Sequence, residues 1–475
     1  MQQEEVYEKR DVMPVIAATS ITCGLDVHKE KIDACIRTND GTIEGKLEEK
    51  TFSTMRGSLI ELRDWILSFK CFHVLMESTG VYWMPIYFLL EEVLHMDVRL
   101  GNARNIKNTP GRPKTDKEDA KWLSRLCMLG YLLKSFIVSR PFREIREYTR
   151  YHKKLVEERA RHINRIEKLL QMNGYKLSSV LSNIVGVSGR RLLTKLSEKG
   201  SVSVEDVRLA IDKRVKKTAE EIAYAINGDM KPTSRILLKA QLSKLTDCDK
   251  EISKIHELMF KLSAPYARAI EIIESIPGLS KLSALYIISE IGTDLSMFET
   301  SNHLASWAGL APKGDVSADK IGIKRTQRAN RYLKSVLVEC AWATTRVKTS
   351  RLSMWFWHNK NRIGDKKAII AVARKLLCYI YAMLRNDTLY DVSLDRAQEN
   401  KNKAKKLDSA RKIVDNNEKF KELKSVCDEL NEKVNNSLCD VHSEKSNSET
   451  DAIHKEEDVP HLKKRGRPPK NLTAS

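Results

Sequence analysis

Long hydrophobic runs are missing from this 475-residue chain, and the opening MQQEEVYEKRDV holds no signal-peptide core. No window approaches the roughly 20 apolar residues that span a bilayer, so the sequence reads as soluble and cytoplasmic, with no membrane partner. The nine cysteines are scattered, with no CxxC pair and no histidine cluster at zinc spacing. Neither a disulfide framework nor a zinc site is indicated, and the thiols are expected to be reduced and mostly buried. Acidic residues are in deficit, 63 against 83 Lys and Arg, a formal net charge of +20. That balance favours a polyanionic partner over a small neutral ligand, and nucleic acid leads the polyanions. With hydrophobic types at 41% the chain has the apolar matter for two or three domains.

From Ser20 to about Gly130, three short strand-like runs (SITCGLDV, EKIDACIRT, KLEEKTFS) are split by turn residues and fit an antiparallel meander. A helical stretch near Leu59 to Phe69, the apolar strand FHVLME, a helix through IYFLLEEVLHM, the strand DVRLG and a helix from Lys114 to Leu129 complete an α/β layer. This is the element order of the ribonuclease H fold. From Phe142 to about Leu262 the chain is charged and helical, and Leu238, Leu245, Ile252 and Met259 fall seven apart, interleaved with Gln241, Cys248, Ile255 and Leu262. The spacing reads equally as a coiled coil or as an amphipathic helix packed on its own domain. A third, mostly helical part follows to about Tyr390. Beyond Asp395 the composition turns to Lys, Asn, Glu and Ser, a weakly ordered extension. Residues from Lys401 onward hold 17 basic and 14 acidic side chains, so the excess positive charge belongs to the part before them. The expected divisions are 20–140, 141–265, 266–395 and 396–475.

Four carboxylates sit where a metal site requires them. Asp26 ends the first strand, Glu77 ends VLMESTG, and Asp116 and Asp119 open the helix of KTDKEDAKWL on one face, three residues apart. Adjacent first and fourth strands bring Asp26 and Glu77 together with that helix. Hard oxygen ligands of this kind suit Mg²⁺ or Mn²⁺ and phosphoryl transfer. The bland reading of Asp116 and Asp119 is helix-start carboxylates complementing the macrodipole. Asp26 and Glu77 resist it, because a carboxylate closing an apolar strand carries a burial cost.

Downstream, ESIPGLSKLSALYIISEIG places two helical pieces around Pro277 and Gly278, as a helix-hairpin-helix does when its turn offers amides to phosphate, or as a plain helical corner does. Then LASWAGLAPKGDVSADK breaks into a loop carrying Ser317, set among Lys313, Lys320, Lys324, Arg325, Arg328 and Arg331. A hydroxyl beside such cations has its developing charge neutralised when it attacks a phosphate. Taken alone, a loop serine is only a loop serine.

CGLDVHKEK, LMESTGVYW, GRPKTDKEDA, SIPGLSKLSALYIISEIG and WAGLAPKGDVSADK, in this order and spacing, resemble the DEDD insertion-sequence transposases of family one-ten, over roughly Ser20 to Tyr390. The resemblance implies a RuvC-like N-terminal domain and a serine-bearing C-terminal transposase domain joined by a helical coiled-coil insertion. It implies Asp26, Glu77, Asp116 and Asp119 as the acidic tetrad and Ser317 as a nucleophile transiently joined to DNA. It further implies donor and target DNA as substrates, a structured non-coding bridge RNA, and a homo-oligomer (dimer or tetramer) with composite sites. Asp319 departs from the pattern, standing where relatives often carry Gly. The terminal KKRGRPPK, with Arg465, Gly466, Arg467 and Pro468, resembles an AT-hook or serves as a nonspecific basic tail. Two rival functions remain: a metal-dependent junction resolvase without serine chemistry, and a non-catalytic nucleic-acid-binding protein.

Overall fold

The structure is a computed structural model that describes residues 21–40, 45–77, 80–101, 106, 116–130, 135–312, 316–317, 320–321, 329–397, 400, 403–404 and 407–408. The strands β1 (Ile21–Val27), β2 (Lys31–Thr38) and β3 (Lys46–Ser53) form the expected antiparallel meander. Then come α1 (Arg56–Ser68), β4 (His73–Glu77), α2 (Trp83–Glu91), β5 (Asp97–Gly101) and α3 (Asp116–Met128). The sheet order is β3-β2-β1-β4-β5, with β4 parallel to β1 and β5 parallel to β4. The first and fourth strands are therefore neighbours.

Period-two alternation gives this sheet two different faces. On one, Cys23, Leu25, Ile32, Ile36, Val74 and Met76 pack with Leu59, Leu62 and Ile66 of α1 and Ile86 and Leu90 of α2. The other face takes α3, whose Leu123, Leu126 and Cys127 cover Leu75. Thr22 Oγ1 donates to the Ser124 carbonyl at 2.9 Å, and buried Arg37 donates to Ser124 Oγ and to the Lys121 carbonyl, both at 3.2 Å. Between Thr22 and Asp26 on that face lies Gly24. A Cβ there would stand 2.2 Å from the Ala120 carbonyl oxygen and 2.3 Å from the Ser124 amide nitrogen. The missing side chain is what lets α3 lie directly on β1.

Helices follow to the end of the described chain. α4 (Arg140–Met172) leads to the short helices α5 (Leu177–Val180), α6 (Val187–Lys199), α7 (Val204–Ala210) and α8 (Ala219–Ala225), and α9 (Pro232–Leu262) returns. α7 and α8 each begin with a capping box, Ser203 with Asp206 and Thr218 with Glu221, which satisfies amides that a helix start leaves unpaired. α9 runs antiparallel to α4, as the pairs His152–His256, Arg159–Asp249 and His162–Gln241 record. Of the heptad positions, Leu238, Leu245, Ile255 and Met259 are buried, whereas Leu262 is exposed. Gln241, polar in the apolar seam, is matched by His162 Nδ1 at 2.8 Å.

Then come α10 (Ala267–Glu274), α11 (Lys281–Ile291), α12 (Ser301–Trp307), α13 (Arg331–Arg346), α14 (Arg351–Ile363) and α15 (Asp365–Asn386), and the described residues 393–397, 400, 403–404 and 407–408 are helical as well. Between α12 and α13 stands a two-stranded ribbon, β6 (Val316–Ser317) with β7 (Lys320–Ile321). The chain divides into two compact units, Met1–Val347 with Trp355–Tyr390, and Lys348–Met354 with Asp391–Ser475. In the smaller one, buried Asp395 accepts from the Arg351 amide at 3.0 Å and from its Nε at 3.1 Å. Among the described residues no helix is long and apolar enough to cross a membrane, and all seven described cysteines are free.

Candidate functional site

The alternation that puts Thr22 and Gly24 against α3 puts Asp26 there too, at the end of β1. In β4, Leu75 packs on α3, so Glu77, two residues on, shares that face at the end of the neighbouring parallel strand. Asp119 lies in the first turns of α3, beside Ala120, whose carbonyl sits over Gly24. Three sequence-expected carboxylates thus converge. Burial is the main cause that raises the Asp26 carboxyl above its ordinary value; His28 opposes it, and the charges of Asp119 and Glu77 push it further up. A carboxylate raised by burial and by two like charges is held where a cation would relieve it. Asp116 begins α3, but its side chain lies outside the described residues.

Two further residues belong to this corner. Asp33 stands directly opposite Asp26 in the β1–β2 ladder, and ligand atoms of Asp26, His28 and Asp33 lie within 4.8 Å of one another. Directly opposed like charges are unfavourable unless compensated. Asp33 is compensated by Lys31 Nζ at 2.9 Å and Thr51 Oγ1 at 2.7 Å. Burial works against its charge, but these hydrogen bonds outweigh it and hold the carboxyl below the ordinary range. Asp26 Oδ2 is met by His28 Nε2 at 3.0 Å. Neither neighbour was singled out from the sequence; the available signal was the short turn in DVHKEKID, whose register sets position 33 across from position 26.

Ser317 is not in an open loop, as the sequence implied, but in the ladder of β6, with Lys320 opposite it in β7. The side chains of Ser317 and Lys320 lie outside the described residues, as do residues 313, 324, 325, 328, 465 and 467 altogether. Arg331 opens α13 and is exposed, its guanidinium 5.0 Å from the Tyr332 ring; Arg150 lies 4.5 Å from that ring. Gly278, with φ +94°, packs against α13, and a Cβ on it would stand 2.8 Å from the Thr344 amide nitrogen. The Pro277–Gly278 turn is therefore shaped at least in part by helix packing.

The start of α13, downstream of the serine segment, is fixed by a residue that the sequence reading passed over. Glu290, 2% exposed in α11, takes a bidentate grip from Arg150 at 2.8 and 2.9 Å and a hydrogen bond from Asn330 Nδ2 at 2.6 Å. Asn330 is the N-cap of α13, its Oδ1 accepting from the Tyr332 and Leu333 amides. Arg146 adds bonds to the Ser289 and Glu290 carbonyls at 3.0 and 2.8 Å. An acid inside the apolar stretch YIISEIG was the available signal.

A transposase family model of the DEDD class matches residues 23–173, and one described as transposase IS116/IS110/IS902 family matches residues 270–355. The chain is 26% identical over 196 residues to the transposase for insertion sequence element IS1111A of Coxiella burnetii, covering 39% of this chain and 53% of that one, about half its length. It is 23% identical over 385 residues to the pilin gene-inverting protein of Moraxella lacunata, covering 78% and 97% respectively. An uncharacterized 43.6 kDa protein of insertion element IS110 from Streptomyces coelicolor is 26% identical over 310 residues, 59% of this chain and 73% of that one.

Proposed function

We propose a function from one premise: the chain belongs to the IS110 family of DEDD transposases. It is a DNA transposase or site-specific recombinase, and DNA is its substrate. Beyond that, we read the sheet as a ribonuclease H-like, RuvC-like domain over 20–140. A helical coiled-coil region spans 141–265, a transposase domain 266–395, and a tail ending in an AT-hook-like segment 396–475. The strand order β3-β2-β1-β4-β5 supports the first of these.

The observation that carries the mechanism is the convergence of Asp26, Glu77 and Asp119 on the α3 face of the sheet. Their hard oxygen donors, with Asp116 one turn before Asp119, fit Mg²⁺ or Mn²⁺. These carboxylates would hold a divalent ion, which would supply Lewis-acid stabilisation of the charge that develops in phosphoryl transfer. Lys31 and Thr51 keep Asp33 charged, and His28 steadies Asp26 Oδ2. Ser317 Oγ displaces one deoxyribose oxygen from phosphorus, so the broken phosphodiester is kept as a serine ester, and a DNA-end hydroxyl reverses the exchange to join strands. Lys313, Lys320, Lys324, Arg325, Arg328 and Arg331 supply positive charge for the phosphates, as Pro277–Gly278, Arg465 and Arg467 supply DNA contacts. The reading extends to a bridge RNA and to a dimer or tetramer whose protomers share composite sites.

Gene inversion in the name of the Moraxella proteins supports rejoining over simple hydrolysis. The test is Ser317→Ala with a labelled DNA substrate, read by denaturing electrophoresis. DNA binding is expected to stay normal, with neither protein–DNA adduct nor joined product. Cleavage that persists without an adduct supports the junction-resolvase reading instead, and an adduct that survives the substitution removes Ser317 from the mechanism.

A further inference from the structure

Three of the seven tryptophans crowd α13 and the start of α14, and two of them face solvent: Trp342 is 43% exposed and Trp357 is 54% exposed. Both touch one buried ring, Phe356, at 5.5 Å, Trp342 edge-on at 71° and Trp357 at 83°. The exposed rings are thus held two ring contacts apart on a rigid base. Trp357 is further fixed by its indole N–H, which donates to the Thr345 carbonyl at 3.3 Å. Large apolar surface left in water on two neighbouring rings is a cost that folding alone gives no reason to keep.

Cations line these rings. Lys360 Nζ sits 4.0 Å from the Trp357 centroid, and Lys375 Nζ 5.3 Å from that of Trp355. Arg346 is exposed one helical turn beyond Trp342, on the same face of α13. From Arg331 to Lys375 the sequence carries eleven Lys or Arg and two acids, Glu339 and Asp365. Such a surface repels a cationic partner and draws a polyanion, and exposed flat rings select a polyanion with flat faces to offer. Only an unpaired nucleic-acid strand has those faces free, since a duplex spends them on its own stack.

We propose that Trp342 and Trp357, flanked by Arg346 and Lys360, form a stacking platform for the bases of single-stranded nucleic acid. Phe356 sets the spacing of the two rings, while Arg346 and Lys360 neutralise the backbone of the strand. DNA and RNA share the chemistry that the platform reads. The proposal stands apart from the carboxylates and from Ser317, because it concerns binding and is measured in chelator, where no reaction occurs.

The experiment is fluorescence anisotropy of labelled oligo-dT, oligo-U of equal length and a mixed-sequence duplex. The full-length protein is compared with Trp342→Ala, Trp357→Ala and Trp357→Phe. Each alanine variant is expected to weaken single-strand binding at least about fivefold and duplex binding less than about twofold, since stacking contributes per base. Trp357→Phe, which keeps a ring, is expected to retain most of the affinity. The ratio of oligo-U to oligo-dT affinity lost on substitution tells which strand the platform takes. If Trp357→Ala loses its fold along with the Thr345 bond, Trp342→Ala at the more independent ring still decides. Single-strand binding unchanged in Trp342→Ala and Trp357→Ala overturns the proposal, as does an equal loss for duplex. So does light scattering that shows a smaller assembly with single-strand binding intact, which would assign the face to a second copy of the chain.

Discussion

Replacing Gly24 by alanine perturbs the candidate site through packing alone, since it leaves every carboxylate in place. The new Cβ would stand 2.2 Å from the Ala120 carbonyl oxygen, where ordinary contact begins at 3.4 Å. The obstacle is helix backbone, which cannot swing aside as a side chain does. α3 must therefore withdraw from β1 by roughly 1 Å, at the cost of about 1–3 kcal/mol that overpacking of a tight contact exacts. Asp119, adjacent to Ala120, withdraws with it, away from Asp26 and Glu77. A displacement of about 1 Å in a positioned group costs up to about 100-fold in rate. The assay is divalent-dependent cleavage of a DNA substrate, with the thermal midpoint followed by circular dichroism. Gly57→Ala is the control: it sits in α1 with nothing within 4 Å of a Cβ, and is expected to be neutral or slightly stabilising. Unchanged cleavage and an unchanged midpoint in Gly24→Ala would refute the view that the β1–α3 contact sets the site.

Two other substitutions probe charges. Burial and the neighbouring Asp119 and Glu77 raise the folded-state pKa of Asp26, so its stabilising contribution is complete below the unfolded-state value and is lost as pH rises through the folded-state value. Asp26→Asn is thus expected to raise the unfolding midpoint of the chelated protein at pH 7 relative to pH 4, and to abolish any midpoint gain from Mn²⁺; a lower midpoint at pH 7 contradicts the assignment. Glu290→Gln leaves Arg150 and Arg146 without their buried counter-charge and is expected to lose about 3 kcal/mol in urea unfolding, whereas a change under about 0.5 kcal/mol would mean that the clamp carries no stability.

The sheet was legible because alternation and turn residues both speak to it. ITCGLDV and KIDACIRT carry their faces in every second residue, and the apolar HVLME reads as a buried strand, whose parallel pairing with β1 only the structure gives. The convergence of Asp26 and Glu77 followed once strands one and four were adjacent. Asp33 was missed because it sits mid-strand, where an acid reads as a solvent-facing position; only cross-strand register aims it at Asp26. Glu290 was missed for a different reason: its partners, Arg150 and Asn330, are 140 and 40 residues away, and no local pattern encodes such pairings. The heptads of α9 read equally as a coiled coil or as an amphipathic helix packed on its own domain, because spacing does not name the partner; the helix it pairs with is α4 of the same chain. The hairpin around Ser317 eluded propensity because four paired residues are too few to leave a period.

The 33-residue α4 carries one more implication, a mechanical one. Arg143 grips Glu91 of α2 near its start, and two turns later Arg150 grips Glu290. Successive turns of one cylinder are thus bolted first to α2 and then, through Glu290 of α11, to the start of α13. From Arg150 the helix projects roughly 33 Å further to the cluster that Ile166 and Leu170 enter, braced by the returning α9. It is a lever: a sideways shift of about 1 Å at its far end turns the bolted end by roughly 2°. Its angular phase matters as much as its length, because one residue inserted or removed beyond Arg150 rotates everything distal by about 100° around the axis. Changes in this arm are therefore expected to be tolerated in whole turns, matched in α4 and α9 together, and torque applied to the distal helices arrives at Glu290 and at Asn330, the N-cap of α13.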